Sequence, residues 1–194
     1  MSRRCWPRRG EARRALAILR PRPKHRSDQQ GPMPMPPRSH TVTWEEGPSP
    51  HAGLPAVEGM HAQIADGAKR TPMFALMGIR LARAEPGLAV MEGEVGEQHY
   101  NSIGMAHGGY AATILDAALW NSVRTTMEPG YGHTTLELKV NYARALTVKS
   151  GLVTCEGKVV HRGGRIAISE ARLTGDGGKT LYAYASSTLM IVKL

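Results

Sequence analysis

The feature that most narrows what this chain can fold into is one long helical run set among strand-like segments. From Gly108 to about Met127 the pattern is helical, with Ala111, Leu115, Ala118 and Ser122 on one stripe, and Pro129-Gly130 ends it. The stripe is made of mostly small side chains, so other backbone can approach it closely. Four strand candidates follow in succession. In "HTTLELKVNY", Thr134, Leu136, Leu138, Val140 and Tyr142 alternate with Thr135, Glu137, Lys139 and Asn141. "GLVTCEGKVVHR" and "RIAISEARLT" flank Gly163-Gly164, a hairpin signal, and "GDGGK" turns the chain into "TLYAYASSTLMIVKL". Upstream, "VEGMHAQIADGAKR" places Val57, Met60, Ile64 and Ala68 at helical spacing, and Pro86-Gly87 marks a turn before the loosely alternating "LAVMEGEV". The expected fold is α+β: one long central helix packed against a curved antiparallel sheet.

The chain is long enough, at 194 residues, for one domain with a substantial core and hardly for two. Its net charge of +9 invites a nucleic-acid reading, which the distribution of charge removes. Residues 1–40 carry eleven Lys/Arg against Glu11 and Asp28, whereas residues 41–194 carry fourteen basic and fourteen acidic side chains. Ten of the thirteen prolines also fall by residue 55, in runs such as "RPRPKHR" and "GPMPMPPR". Proline fixes φ and removes backbone donors, so residues 1–55 are expected to be a disordered basic tail and residues 56–194 the folded domain. Met33 and Met35 offer starts downstream of most of that tail. The five apolar residues of "RRALAILR" are too few for a secretory core or a membrane span. Cys5 and Cys155 are the only cysteines, which excludes a disulfide framework and most metal sites and favours a cytoplasmic protein.

Chemistry concentrates in "NSIGMAHGGYAATILD", residues 101–116. A helix start exposes unpaired N–H groups and the positive end of the helix dipole. Gly108 and Gly109 there let a substrate oxygen approach, and a carbonyl so placed would have its developing charge stabilised. His107 could orient the same group or anchor the turn, and Asn101 could hold a water or carbonyl or simply cap the loop. Asp116 lies eight residues beyond Gly108, about 12 Å along a helix. A nucleophile or base must come within about 3 Å of its target. If both residues act in one reaction, Asp116 therefore serves a carbonyl bound by a second chain whose helix runs antiparallel alongside.

The pattern N-x-x-G-x-x-H-G-G-x-x-x-x-x-x-D over Asn101 to Asp116 resembles the hotdog-fold acyl-CoA thioesterases of the PaaI-like group. The similarity runs on through "MFALMGIRLARAEPGLAVMEGEV", "HTTLELKVNYARAL", "GGRIAISEARLTGDGGK" and "YAYASSTLMI". The resemblance implies a hotdog fold, homodimers often paired into homotetramers, and hydrolysis of an acyl-CoA thioester without metal or cofactor, coenzyme A being part of the substrate. The confinement of excess charge to the tail and the shortness of its apolar run lead us to expect no nucleic-acid or membrane partner. Under the resemblance Asp116 matches the catalytic carboxylate and Gly108 the backbone donor to the thioester carbonyl. Asn101 and His107 match polar helpers at the thioester, and Thr135 a hydroxyl that steadies the carboxylate or the attacking water. Gly109 belongs to the same turn, while Tyr142 and the Gly164-Arg165 turn fall where relatives contact coenzyme A.

Two other readings share the architecture. A hotdog module could bind acyl-CoA without cleaving it, because fold alone does not fix activity. A hotdog enoyl-CoA hydratase or dehydratase would pair a histidine and a carboxylate for proton abstraction beside a carbonyl. The glycine turn with Asp116 nine residues after His107 fits hydrolysis better.

Overall fold

Six antiparallel strands wrap around one helix, in a computed structural model that describes residues 37–45, 51, 53–67 and 71–194. Most of the basic segment expected over residues 1–55 lies outside the described residues, and so does Ala68. Two short helices, α1 (Ala56–Asp66) and α2 (Pro72–Met77), precede the hairpin of β1 (Ile79–Glu85) and β2 (Leu88–Glu94). The long helix α3 (Gly108–Arg124) comes next. Then follow β3 (Tyr131–Tyr142), β4 (Leu152–Arg162), β5 (Ile166–Gly175) and β6 (Thr180–Lys193). In the sheet they lie in the order β1-β2-β4-β5-β6-β3, so β3 forms an edge. Among the described residues, no helix is long and apolar enough to cross a membrane.

Helix α3 touches all six strands. Five inter-strand spacings span about 24 Å at roughly 4.8 Å each, twice the roughly 10–12 Å diameter of a helix. A flat sheet could not reach the helix from both edges, so this one must curve around it. Ile114, Leu115, Leu119 and Val123 are completely buried in the interface. Burial of side chains of that size stabilises the fold by about 1.5–3 kcal/mol each. The expected small stripe is what allows the close fit. Ser122 is buried on it with its hydroxyl 2.7 Å from that of Ser169 on β5.

Two local expectations are corrected. The helix stops at Arg124 rather than Met127, because the last turn tightens: Thr126 and Met127 donate their N–H groups three residues back, to Val123 and Arg124. The hydroxyls of Thr125 and Thr126 bond to Ser122 and Val123 carbonyls in the same turn. The strict alternation expected along β3 also fails. Its register against β6 shifts between Thr135 and Glu137, a bulge that leaves Leu136 53% exposed. Thr135 therefore faces the helix together with Leu138 and Val140, which pack on the core, instead of opposing them.

Candidate active site

The turn entering α3 is fixed by its own residues. His107 is the N-cap, its Nδ1 accepting the Gly109 N–H at 2.9 Å, while its carbonyl accepts the Tyr110 N–H at 2.9 Å. As an acceptor Nδ1 carries no proton, so the neutral ring bears it on Nε2. The Gly108 N–H is left as a first-turn donor with no acceptor among the described residues. Asn101 Oδ1 accepts from the Ile103 and Met105 backbones at 3.0 and 3.3 Å, which holds the preceding loop closed. Tyr142 lies across the turn and donates its hydroxyl to the Gly108 carbonyl at 3.2 Å. Asn101, His107, Gly108, Tyr142 and Arg144 thus border one cavity of about 370 Å³.

Asp116 belongs to a different cavity, of about 670 Å³, bordered by Ala112, Trp120 and Arg124 of the same helix face, Phe74 of α2 and Leu138 of β3. Ala112, Asp116, Trp120 and Arg124 succeed one another at four-residue intervals, which stacks them along one face. The inward turn of the β3 bulge brings Thr135 to Asp116, where its Oγ1 donates to Oδ1 at 3.0 Å. Most of this cavity wall is apolar.

The six residues assigned from sequence to the reaction and its turn therefore divide between two places. Asp116 and Thr135 meet at the larger cavity; Asn101, His107, Gly108 and Gly109 gather at the helix start, and Tyr142 joins them. Gly164 and Arg165 stand on the β4–β5 turn, where the Arg165 carbonyl accepts from Ile191, and they border neither cavity.

Sequence reasoning missed the far end of the larger cavity. Trp120 stacks on His133 of β3, with ring centroids 4.3 Å apart, and His133 Nε2 lies 2.9 Å from the Trp120 carbonyl. Burial draws the His133 pKa below its usual value, only partly offset by that carbonyl, and nearby Arg124 and Arg162 lower it further. The ring is thus neutral and props the indole. The four-residue spacing from Asp116 to Trp120 and Arg124 was the available signal. Among the described residues, no three His, Cys, Asp or Glu side chains converge as a metal-binding group.

Residues 103–182 match the Thioesterase superfamily model. The 1,4-dihydroxy-2-naphthoyl-CoA hydrolase of Listeria monocytogenes serotype 1/2a (strain 10403S) is 27% identical over 105 residues, covering 54% of this chain and 84% of that protein. Human acyl-coenzyme A thioesterase 13 is 28% identical over 110 residues, covering 57% of this chain and 77% of its own length. Among solved structures, a point mutant of the phenylacetic acid degradation protein PaaI from Thermus thermophilus superposes with a TM-score of 0.55 at 27% identity. It covers 61% of this chain and 97% of that one.

Proposed function

We propose that this chain, which carries a Thioesterase superfamily domain on a hotdog fold, hydrolyses acyl-CoA thioesters at sites shared between two copies of itself. One observation carries the reading: Asp116 and Gly108 face different cavities of one chain, and a single edge strand runs past both. β3 lies antiparallel to α3, with His133 at Trp120, Thr135 at Asp116 and Tyr142 at Gly108. Among the described residues no strand pairs with its outer edge. Antiparallel pairing with the same strand of a second copy, about a two-fold axis near Leu138–Lys139, sets the Thr135 end of one strand against the Tyr142 end of the other. Asp116 then faces Gly108 of the partner subunit. Such pairing also covers Leu136 and Tyr142, which are 53% and 58% exposed in one chain. Exposed Val160, Ile168 and Tyr184 offer apolar surface for joining two dimers into a tetramer.

In this arrangement the thioester oxygen accepts the free Gly108 N–H at the positive end of α3, where negative charge develops as the carbonyl carbon is attacked. Gly109 shapes the turn, since its own N–H is taken by His107. The His107 Nε2–H and the Asn101 amide nitrogen supply further donors at that cavity. Asp116, steadied by Thr135, either attacks the carbonyl carbon or takes a proton from a water that does. The C–S bond breaks, the coenzyme A thiolate leaves and gains a proton, and water's oxygen ends in the released acid. Asp116 is regenerated on either route, so no cofactor is consumed. Tyr142 and the Gly164-Arg165 turn are the proposed contacts of the coenzyme A portion.

The test is thiol release from a panel of acyl-CoA esters by the wild type and Asp116→Asn. The wild type is expected to release coenzyme A, and the variant to remain a folded oligomer that releases none. Undiminished release by the variant would remove Asp116 from the mechanism. Saturable binding with no release by the wild type would favour a binding module, and water addition to an enoyl-CoA would favour a hydratase.

A further inference from the structure

Arg124 is the least expected wall of the larger cavity. It sits two helical turns beyond Asp116 on the same face, about 12 Å along the axis, at the end of a pocket whose exposed wall is mostly apolar surface. Its guanidinium lies 5.9 Å from the centre of the Trp120 ring, and one nitrogen donates to Gln63 Oε1 of α1 at 3.2 Å. Among the described residues no carboxylate pairs with it. Burial lowers its pKa. His133, the titratable neighbour that senses it, is held neutral by burial. A guanidinium has five donors in a planar fork suited to a carboxylate, and here one neutral amide and an aromatic face are its partners.

Arg124 is half-buried; taking such a cation partly out of water without a counter-charge costs stability, and a carboxylate arriving on a ligand would offset that cost through a charge-assisted bond. Taking the thioesterase reading as its basis, we propose that Arg124 selects acyl groups that end in a carboxylate, so that the preferred substrates are ω-carboxyacyl-CoA esters of medium length. The thioester of such a substrate stands at Asp116. Its methylenes pass Ala112, Leu138 and Phe74, and its terminal carboxylate meets the Arg124 fork beside Trp120. Gln63 orients the guanidinium from α1, which makes it a positioning residue.

The experiment compares two esters of equal chain length, octanoyl-CoA and suberoyl-CoA, on wild type, Arg124→Lys and Arg124→Met. kcat/KM is measured by thiol release, and Kd for both esters by calorimetry on Asp116→Asn with and without Arg124→Met. The wild type is expected to favour suberoyl-CoA by about tenfold or more, the size of one desolvated charge-assisted contact. Arg124→Met is expected to reverse that preference in both readouts, and Arg124→Lys to keep part of it. An octanoyl preference in the wild type, or a suberoyl preference that survives Arg124→Met, overturns the proposal while leaving hydrolysis intact. Absence of thiol release from either ester would count against the thioesterase reading alone, because the calorimetric ratio still decides the role of Arg124.

Discussion

Thr135 Oγ1 donates a 3.0 Å hydrogen bond to Asp116 Oδ1, joining the edge strand to the central helix at the larger cavity. The bond holds one carboxylate oxygen, and the other has no hydrogen-bond partner among the described residues. A hydrogen bond to a charged group contributes about 1.5–3 kcal/mol, and each 1.36 kcal/mol of barrier is about a factor of ten. Thr135→Val is therefore expected to lower kcat by about 10- to 100-fold while thermal unfolding changes little. Thr135→Ser, which keeps the hydroxyl, should retain most of the rate. A valine variant with wild-type kcat would show that the hydroxyl does not position the acid.

The proposed sharing of sites between two copies predicts complementation between inactive chains. A Cβ at Gly108 would lie 3.2 Å from the Tyr142 ring, so Gly108→Val crowds the turn and blocks approach to its N–H. Asp116→Asn and Gly108→Val should each be inactive alone. In a mixed dimer, one site inherits both defects and the other neither. Co-refolding equal amounts should thus restore about a quarter of wild-type turnover per chain, from half the dimers with one working site each. Activity that stays absent, with mixed dimers demonstrated by mass, would place both groups in the same subunit.

Much of this arrangement was legible in the sequence, and the failures have physical causes. The helix from Gly108 and the four strands after it follow from periodicity and turn residues, which are local. The separation of Asp116 from Gly108 follows from helix rise alone. The position of Thr135 does not, because a bulge moves it across the sheet, and bulges depend on how β6 pairs rather than on the β3 pattern. Strand order was equally hidden, since β3 crosses to pair with β6, the last strand. The pairing of His133 with Trp120 was hidden as well, because the two are thirteen residues apart on different elements.

Gly157 gives a prediction about packing that strand propensity would not suggest. It lies on β4 directly beneath α3, where an added Cβ would stand 2.6 Å from the Ala118 carbonyl carbon. That atom is helix backbone and cannot rotate aside, so the helix or the sheet must move. Overpacking of this kind costs about 1–3 kcal/mol. Gly157→Ala should lower the unfolding free energy by that amount in urea denaturation, even though alanine is the better residue for an ordinary strand. Unchanged stability would mean that the helix does not press on β4 at this point.

Tyr110 carries the one buried side-chain polar atom that finds no hydrogen-bond partner among the described residues, its hydroxyl. The residue is 2% exposed, its ring centroid is 4.6 Å from that of His99, and the hydroxyl points at the space a Cβ on Gly93 would occupy. Burying an unpaired hydroxyl costs about 1–3 kcal/mol, so Tyr110→Phe should raise the unfolding free energy by about 1 kcal/mol. The effect should also depend on pH. Burial, aided by the charge of Glu94, pushes the phenol up from 10.0 to about 12. Because the folded state holds the proton more tightly, the term that favours folding is complete below pH 10 and is lost as pH rises to about 12. Through that window the unfolded chain ionises its phenol first, and the wild type loses stability that the phenylalanine variant does not. The advantage of Tyr110→Phe should therefore grow from pH 10 to about 12 in denaturant titrations, with tyrosinate absorbance reporting the ionisation. A phenylalanine variant less stable than the wild type at neutral pH would mean that the hydroxyl has a partner, and a constant difference across the window would mean that the phenol is not held protonated by the fold.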